Sequence, residues 1–193
     1  MVGPIERWRV GKALAGDAHE AERIVRDHYP AVLRLLVHLT RRPDDARDLA
    51  QRTFVLAHGA LPRFRFDCPL RNWLLRIAVR EYLHWRRDAR PTLSLDDTFP
   101  TLGPDPERVV LRAALADLPE ELREPFLLRS VEGLSTRETA EALGIPEGTV
   151  KSRCHAARAR LRAALSEDGG SADFSPPLDP GLQSGRGTAH ENP

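Results

Sequence analysis

The chain has 193 residues, 41% hydrophobic and 30% charged, with a net charge of +1, which is enough for one domain or two small ones. No run of 18 apolar residues occurs and no signal-peptide core opens the chain, so a soluble cytoplasmic protein with no membrane insertion of its own is expected. Cys68 and Cys154 lie far apart and share no metal-ligand spacing with any histidine, so neither a disulfide framework nor a metal site is expected; each reads as a small buried hydrophobe, with redox sensing as the alternative.

The small net charge hides a polarity along the chain. Residues 1–90 carry +7, 91–106 carry −3, 107–165 carry +1 and 166–193 carry −4. Residues 1–17 are weakly patterned, with a short helix around Trp8 and Leu14. From 18 to 40, Ala21, Ile24, Val25, Val32, Leu35, Leu36 and Leu39 recur at helical spacing, and Pro30 is expected to kink or split that helix near Tyr29. Pro43 with Asp44 or Asp45 marks the next start, the acid capping the positive end of the helix dipole. That helix, about 45–59, turns Ala46, Leu49, Ala50, Phe54 and Ala57 inward and shows Asp45, Arg47, Asp48, Gln51 and Arg52 outward.

Gly59 and Pro62 end it, and residues 63–69, RFRFDCP, form a basic-aromatic loop. The spacing then predicts a long helix over about 69–88, burying Leu70, Trp73, Leu74, Ile77, Ala78 and Trp85. Arg76, Arg80 and Arg87 make its outward stripe, with Arg71, Asn72 and Arg86 on the margins. Residues 91–106 hold four prolines, three aspartates and no basic residue, the composition of an extended, solvated linker. No stretch alternates at period two, so no strand is expected.

Residues 133–165 read as two helices joined by a tight turn. Ser135 and Glu138 form a capping box, Ala140 and Leu143 give the first helix an inner face, and Gly144 supplies the left-handed residue that ends it. Pro146 suits the first position of the next helix, where Val150, Cys154, Ala157, Leu161 and Leu165 share one buried stripe. Lys151, Ser152, His155, Arg158 and Arg162 fall on or beside the opposite face. Residues 148–165 carry five basic groups and no acid, whereas 107–147 carry five basic and nine acidic. That switch suits a recognition helix in a major groove, with basic flanks on phosphates, so the unit reads as a DNA-binding helix-turn-helix. The fold class is therefore all-α: helical domains at 18–90 and 107–165, an acidic linker at 91–106 and a disordered tail at 166–193.

In the first domain, a basic stripe beside the aromatics of RFRFDCPLRNWLLRIAVREYLHWRR has the chemistry of a surface for unstacked bases. Arginines follow the phosphates and aromatic faces replace lost base stacking, at roughly 1–3 kcal/mol per base. Helical phase places Trp73 and Trp85 in the core, but Phe64, Phe66 and the loop arginines are harder to read as core alone.

The segment DDARDLAQRTFVLAHGALPRFRFDCPLRNWLLRIA is similar to conserved region 2 of the bacterial sigma-70 superfamily, and ADLPEELREPFLLRSVEGLSTRETAEALGIPEGTVKSR resembles region 4. Two regions and a short linker match the extracytoplasmic-function (ECF) subgroup. The resemblance implies a subunit that binds core RNA polymerase, recognises promoter DNA and helps to open it, with no cofactor and no enzymatic activity of its own. It implies that Asp45, Asp48, Leu49 and Gln51 face the β′ clamp helices, and that residues 107–132 meet the β flap. Arg63, Phe64, Arg65, Phe66 and Asp67, with Arg71, Asn72 and Trp73, would capture a flipped base of the minus-10 element; Arg76, Arg80 and Arg87 would face the same DNA. Arg137, Thr149, Lys151, Ser152, Arg153, His155 and Arg158 would read the minus-35 element, and an anti-sigma factor is an expected partner. Three residues depart from the family pattern: Arg52 replaces an acid, and Thr139 and Cys154 replace larger aliphatics, which implies looser packing of the second domain.

Two other functions compete. The output domains of response regulators share a similar GLS…GTVK pattern, so a regulator acting without polymerase is the alternative; it calls for an α/β receiver domain, which the helical first half does not offer. A nuclease calls for clustered carboxylates or His/Cys ligands, and the seven histidines are scattered.

Overall fold

The computed structural model describes residues 3–88 and 106–167, and all regular structure among them is helical. The expected linker at 91–106 lies outside the described residues except for its last position, and so does the expected tail beyond residue 167. The first domain comprises α1 (Pro4–Leu14), α2 (Ala18–Thr40), α3 (Pro43–Ala60), a 3₁₀ turn at Leu61–Arg63 and α4 (Leu70–Asp88). The second comprises α5 (Pro106–Asp117), α6 (Glu120–Phe126), a π-helical turn at Leu127–Val131, α7 (Thr136–Leu143) and α8 (Glu147–Glu167).

Helix α1 packs on the first domain through α2. Its anchor is Val10, fully buried, while Trp8 and Leu14 stay exposed. Arg9 ties it to α2 through Glu20 at 3.1 Å and Asp27 at 2.8 Å. From the same helix Glu6 accepts a 2.5 Å hydrogen bond from the Leu70 amide, placing a carboxylate on the positive end of α4.

Helix α2 runs unbroken through Pro30, so the expected split does not occur. Proline removes one N–H and widows the carbonyl four residues back. Pro30 and Arg26 are both exposed, so water can satisfy that carbonyl, while Val32, Leu35, Leu36 and Leu39 hold the following turns in the core. The start of α3 also differs from expectation. Pro43 occupies its first turn, no side chain caps it, and Asp44 and Asp45 sit inside the first turn as dipole partners. Thr53 is buried among apolar neighbours because its hydroxyl donates to the Leu49 carbonyl at 2.7 Å.

Helix α4 is covered on two sides. Leu70, Leu74 and Ala78 are buried as its spacing predicts, but so are Leu75, Val79 and Tyr82, a second stripe that the first domain's own pattern does not require. In the second domain Leu127 and Leu128 are core, and Ala140, Val150 and Cys154 form a separate small cluster beneath the helix-turn-helix. Thr139 is fully buried with an unpartnered Oγ1, so the smaller side chain also leaves a polar atom unsatisfied. The capping box is present: Ser135 Oγ accepts from the Glu138 amide at 3.1 Å and Glu138 Oε2 accepts from the Ser135 amide at 2.8 Å. Gly144 ends α7 at φ 66°. Helix α8 begins one residue later than expected, with Pro146 as its cap residue, its carbonyl accepting from the Val150 amide at 3.1 Å. Replacing Ser135 by alanine removes one of the two reciprocal bonds and is expected to cost about 1 kcal/mol in denaturant melting; an unchanged midpoint would refute the cap.

Candidate nucleic-acid interface

The loop between the 3₁₀ turn and α4 is built on an aromatic cluster. Phe64 is only 6% exposed, its ring 5.1 Å from that of Trp73 and 4.7 Å from that of Phe66. The reading of Phe64 as an exposed stacking platform is therefore corrected: it is the pillar on which the loop stands. Phe66 adopts φ 59°, a backbone conformation unusual for a non-glycine residue, and Arg7 from α1 lies over its ring at 5.1 Å. Half-buried Phe66 and Trp73 thus remain at the surface beside exposed Arg63, Arg65 and Asp67. Cys68 is buried, and burial pushes its thiol up to about 11, away from thiolate reactivity.

On α4, Arg71, Asn72 and Arg76 are half-buried and follow one another along the helix face, with Arg80 and Arg87 exposed farther on. Arg71 donates to the Glu132 carbonyl at 2.7 Å and also grips its carboxylate. Asn72 Nδ2 donates to Glu138 Oε1 at 2.9 Å, and Arg76 donates to Glu141 at 3.2 Å. Burial works to raise the Glu138 carboxyl, but hydrogen bonds from Asn72 and Ser135 outweigh it and hold the group below its ordinary range. The basic stripe legible in the sequence is therefore real but engaged.

The outward face of α3 carries Asp48 and Gln51, exposed, and half-buried Asp45, which pairs with Arg42 at 3.1 Å. Leu49 does not join them. It is 2% exposed and belongs to the core, as its place in the inward stripe requires, so it offers no surface to a partner. The same face shows Val55 and Leu56, 73% and 46% exposed, which the sequence reading missed. The signal was available, since two apolar residues break the polar side of an amphipathic helix.

In the helix-turn-helix, Lys151, Ser152 and His155 are exposed on α8, and half-buried Thr149 accepts a hydrogen bond from Ser152 Oγ at its carbonyl, 3.1 Å away. Arg137 is exposed on α7 and bonds Glu141 at 2.9 Å, four residues on. Two arginines turn back toward their own domain. Arg153 is half-buried, 3.8 Å from Glu121; Arg158 is half-buried, donating to Ser130 Oγ at 3.3 Å, and its Nε is buried without a partner. Arg158 is thus a packing residue at the edge of the domain and not part of the open face, where Arg160 and Arg162 are exposed instead. Among the described residues no group of three His, Cys, Asp or Glu side chains could hold a metal ion.

A last cluster joins the two domains. Tyr82 on α4 is 1% exposed, and its hydroxyl lies 2.9 Å from carboxylate oxygens of both Glu120 and Glu124 on α6. Arg86, one turn on, reaches the same two carboxylates. Burial pushes the Glu124 carboxyl up to about 7. For the less buried Glu120, burial pulls the same way, but hydrogen bonds from Arg86 and Tyr82 prevail and lower it. The pair therefore retains a proton far more readily at Glu124.

The chain is similar to known proteins over both domains. The family described as sigma-70 region 2 matches residues 24–92, and that described as sigma-70 region 4 matches residues 108–161. The ECF RNA polymerase sigma factor SigM of Mycobacterium tuberculosis is 36% identical over 157 residues, spanning 79% of this chain and 80% of its own. The RNA polymerase sigma-H factor of Pseudomonas aeruginosa is 31% identical, spanning 81% of this chain and 91% of its own. Among solved structures, the sigma factor RpoE in complex with the anti-sigma factor NepR from Bartonella quintana aligns with a TM-score of 0.63 and 25% identity, covering 76% of this chain and 97% of that one. CnrH in complex with the cytosolic domain of CnrY aligns with a TM-score of 0.61 and 28% identity, covering 84% and 98%. No described helix is long and apolar enough to cross a membrane. With regions 2 and 4 both present, in order, and relatives matched over most of their length, the chain belongs to the ECF sigma factors of the sigma-70 family.

Proposed function

We propose that this chain acts in the cytoplasm as a dissociable initiation subunit of bacterial RNA polymerase, with one domain for each promoter element. The observation that carries this reading is the pairing, on one chain, of an open recognition helix with a separate arginine-and-aromatic face. In this reading Lys151, Ser152 and His155, with Arg137 and Thr149, read the minus-35 duplex and Arg153 flanks them; the exposure of Arg137, Lys151, Ser152 and His155 supports it. Arg63, Arg65, Phe66, Asp67, Arg71, Asn72, Trp73, Arg76, Arg80 and Arg87 form the face offered to the unstacked minus-10 strand. Exposed Asp48, Gln51, Val55 and Leu56 on α3, with Asp45 at their edge, form the face offered to the β′ clamp helices, and residues 107–132 that offered to the β flap. The structurally similar RpoE was solved with an anti-sigma factor, which supports an inhibitor of that kind as a further partner. No step here breaks or makes a covalent bond, so the chain needs neither a catalytic residue nor a cofactor.

Run-off transcription with purified core polymerase is the test. Addition of the chain should direct initiation at a two-element promoter that core alone ignores. Tight, sequence-specific binding by the free chain with no effect on polymerase would overturn the reading in favour of a simple regulator. Within an active holoenzyme, Lys151→Ala should weaken promoter binding and lower its salt slope by about one unit if Lys151 meets a phosphate. An unchanged slope removes Lys151 from the interface.

A further inference from the structure

The region 2 match begins at residue 24, so α1 lies ahead of it, yet α1 touches the loop before α4 at two points. Glu6 accepts from the Leu70 amide where the loop runs into α4, and the Arg7 guanidinium lies 5.1 Å from the centre of the Phe66 ring. The helix itself is fixed: Val10 is fully buried, and Arg9 pairs with Glu20 and Asp27 on α2. Arg7, unlike Arg9, is exposed and has no carboxylate partner among the described residues. An exposed cation is thus held at a set place on an aromatic ring.

Phe66 stands between Phe64, its ring 4.7 Å away and tilted by 51°, and Arg7. Phe64 is buried and Arg7 exposed, so the three groups form a column that reaches the surface in a guanidinium. The left-handed backbone of Phe66 persists only where its neighbours over-determine it, and these two are such neighbours. Guanidinium planes stack on nucleobases as aromatic faces do, and their N–H groups grip phosphate oxygens in a forked geometry.

We propose that Arg7 is a strand-binding residue, the outermost layer of the Phe64–Phe66 column, taking an unstacked base on its planar face and the adjoining phosphate on its N–H groups. The inference rests on the reading of this loop as a single-strand surface, and it extends that surface onto α1, ahead of region 2. Arg7 does two things there. It adds a phosphate contact of its own, and it positions Phe66 for the strand.

The test measures binding of a labelled oligothymidine to the full chain across a salt series. The wild type should bind at low salt and weaken as salt rises. Arg7→Ala should lower the slope of log affinity against log salt by about 0.7, the value for one phosphate contact on a single strand. Arg7→Lys keeps the charge but loses the planar face, so it should keep the slope and bind about two- to fivefold more weakly throughout. Arg26→Ala removes an exposed charge from α2 and should match the wild type. A role in folding the loop alone would weaken binding with no change of slope. An unchanged slope in Arg7→Ala therefore overturns the proposal. So does an equal loss in Arg26→Ala, a lysine variant as tight as the wild type, or no wild-type binding at low salt. Run-off transcription separates the two claims, since a chain that binds the oligothymidine through Arg7 but directs no initiation sinks the proposed function and leaves this site standing.

Discussion

Replacing Phe64 by alanine should lower the stability of the protein by about 3–5 kcal/mol, the range for removing a fully packed phenylalanine. The ring is buried against Trp73 and Phe66, at the point where the 3₁₀ turn hands the chain to the loop before α4. Its loss leaves a cavity that the neighbours can fill only by moving, and Phe66, already in a left-handed backbone conformation, has little freedom to do so. Denaturant melting followed by far-ultraviolet dichroism measures the effect. A midpoint equivalent to a loss of under about 1 kcal/mol would mean that Phe64 is a surface residue after all. Phe66→Ala is the informative companion, since a half-buried ring should cost less stability and more strand binding.

The second large effect is a dependence on pH centred at the domain junction. The Glu124 carboxyl titrates near 7 when buried beside Glu120, against an ordinary value of 4.5. Between those two values the folded, docked state binds a proton that the unfolded state does not, so stability falls as pH rises through that window. The full effect is on the order of 2 kcal/mol, discounted for the opposite shift of Glu120. His28 and His38 act in the other direction. Burial depresses both, so the unfolded state takes up their protons first and stability rises with pH as those protons are lost. The measurement is therefore a difference: Glu124→Gln should remove the falling component between about pH 4.5 and 7 while the histidine component persists. Parallel curves for wild type and variant would show that Glu124 is ionised throughout.

What the sequence made legible was whatever one helix decides for itself. The capping box at Ser135 and Glu138, the left-handed Gly144 and the α8 stripe from Val150 to Leu161 depend on neighbours within a few residues, and all are present. So are the ends of α4, read to within a residue, and the order of regions 2 and 4 along the chain. What was not legible depends on residues distant in the chain. Pro30 reads as a residue that kinks or splits its helix, yet its exposure and the core packing of the turns after it keep α2 unsplit. Phe64 looks like a solvent-facing aromatic in a basic loop until Trp73 closes over it. Leu75, Val79 and Tyr82 lie off the stripe that α4 turns to its own domain; Tyr82 is buried because α6 supplies two carboxylates to its hydroxyl. The arginines of α4 can be read as one stripe from their spacing, but nothing local announces that Glu132, Glu138 and Glu141 lie across from Arg71, Asn72 and Arg76.

One carboxylate in that contact divides its labour. Glu138 gives Oε2 to the Ser135 amide and Oε1 to Asn72, so neither bond competes with the other for an oxygen. Undocking the domains therefore breaks only the outer bond and leaves the first turn of α7 wound. On such a separation the α7 cap would stay intact, and amide exchange at the α7 N-terminus should be nearly the same docked or free. A reader of duplex DNA released in this way reaches its site already folded, and its encounter rate is set by diffusion and charge rather than by a folding step.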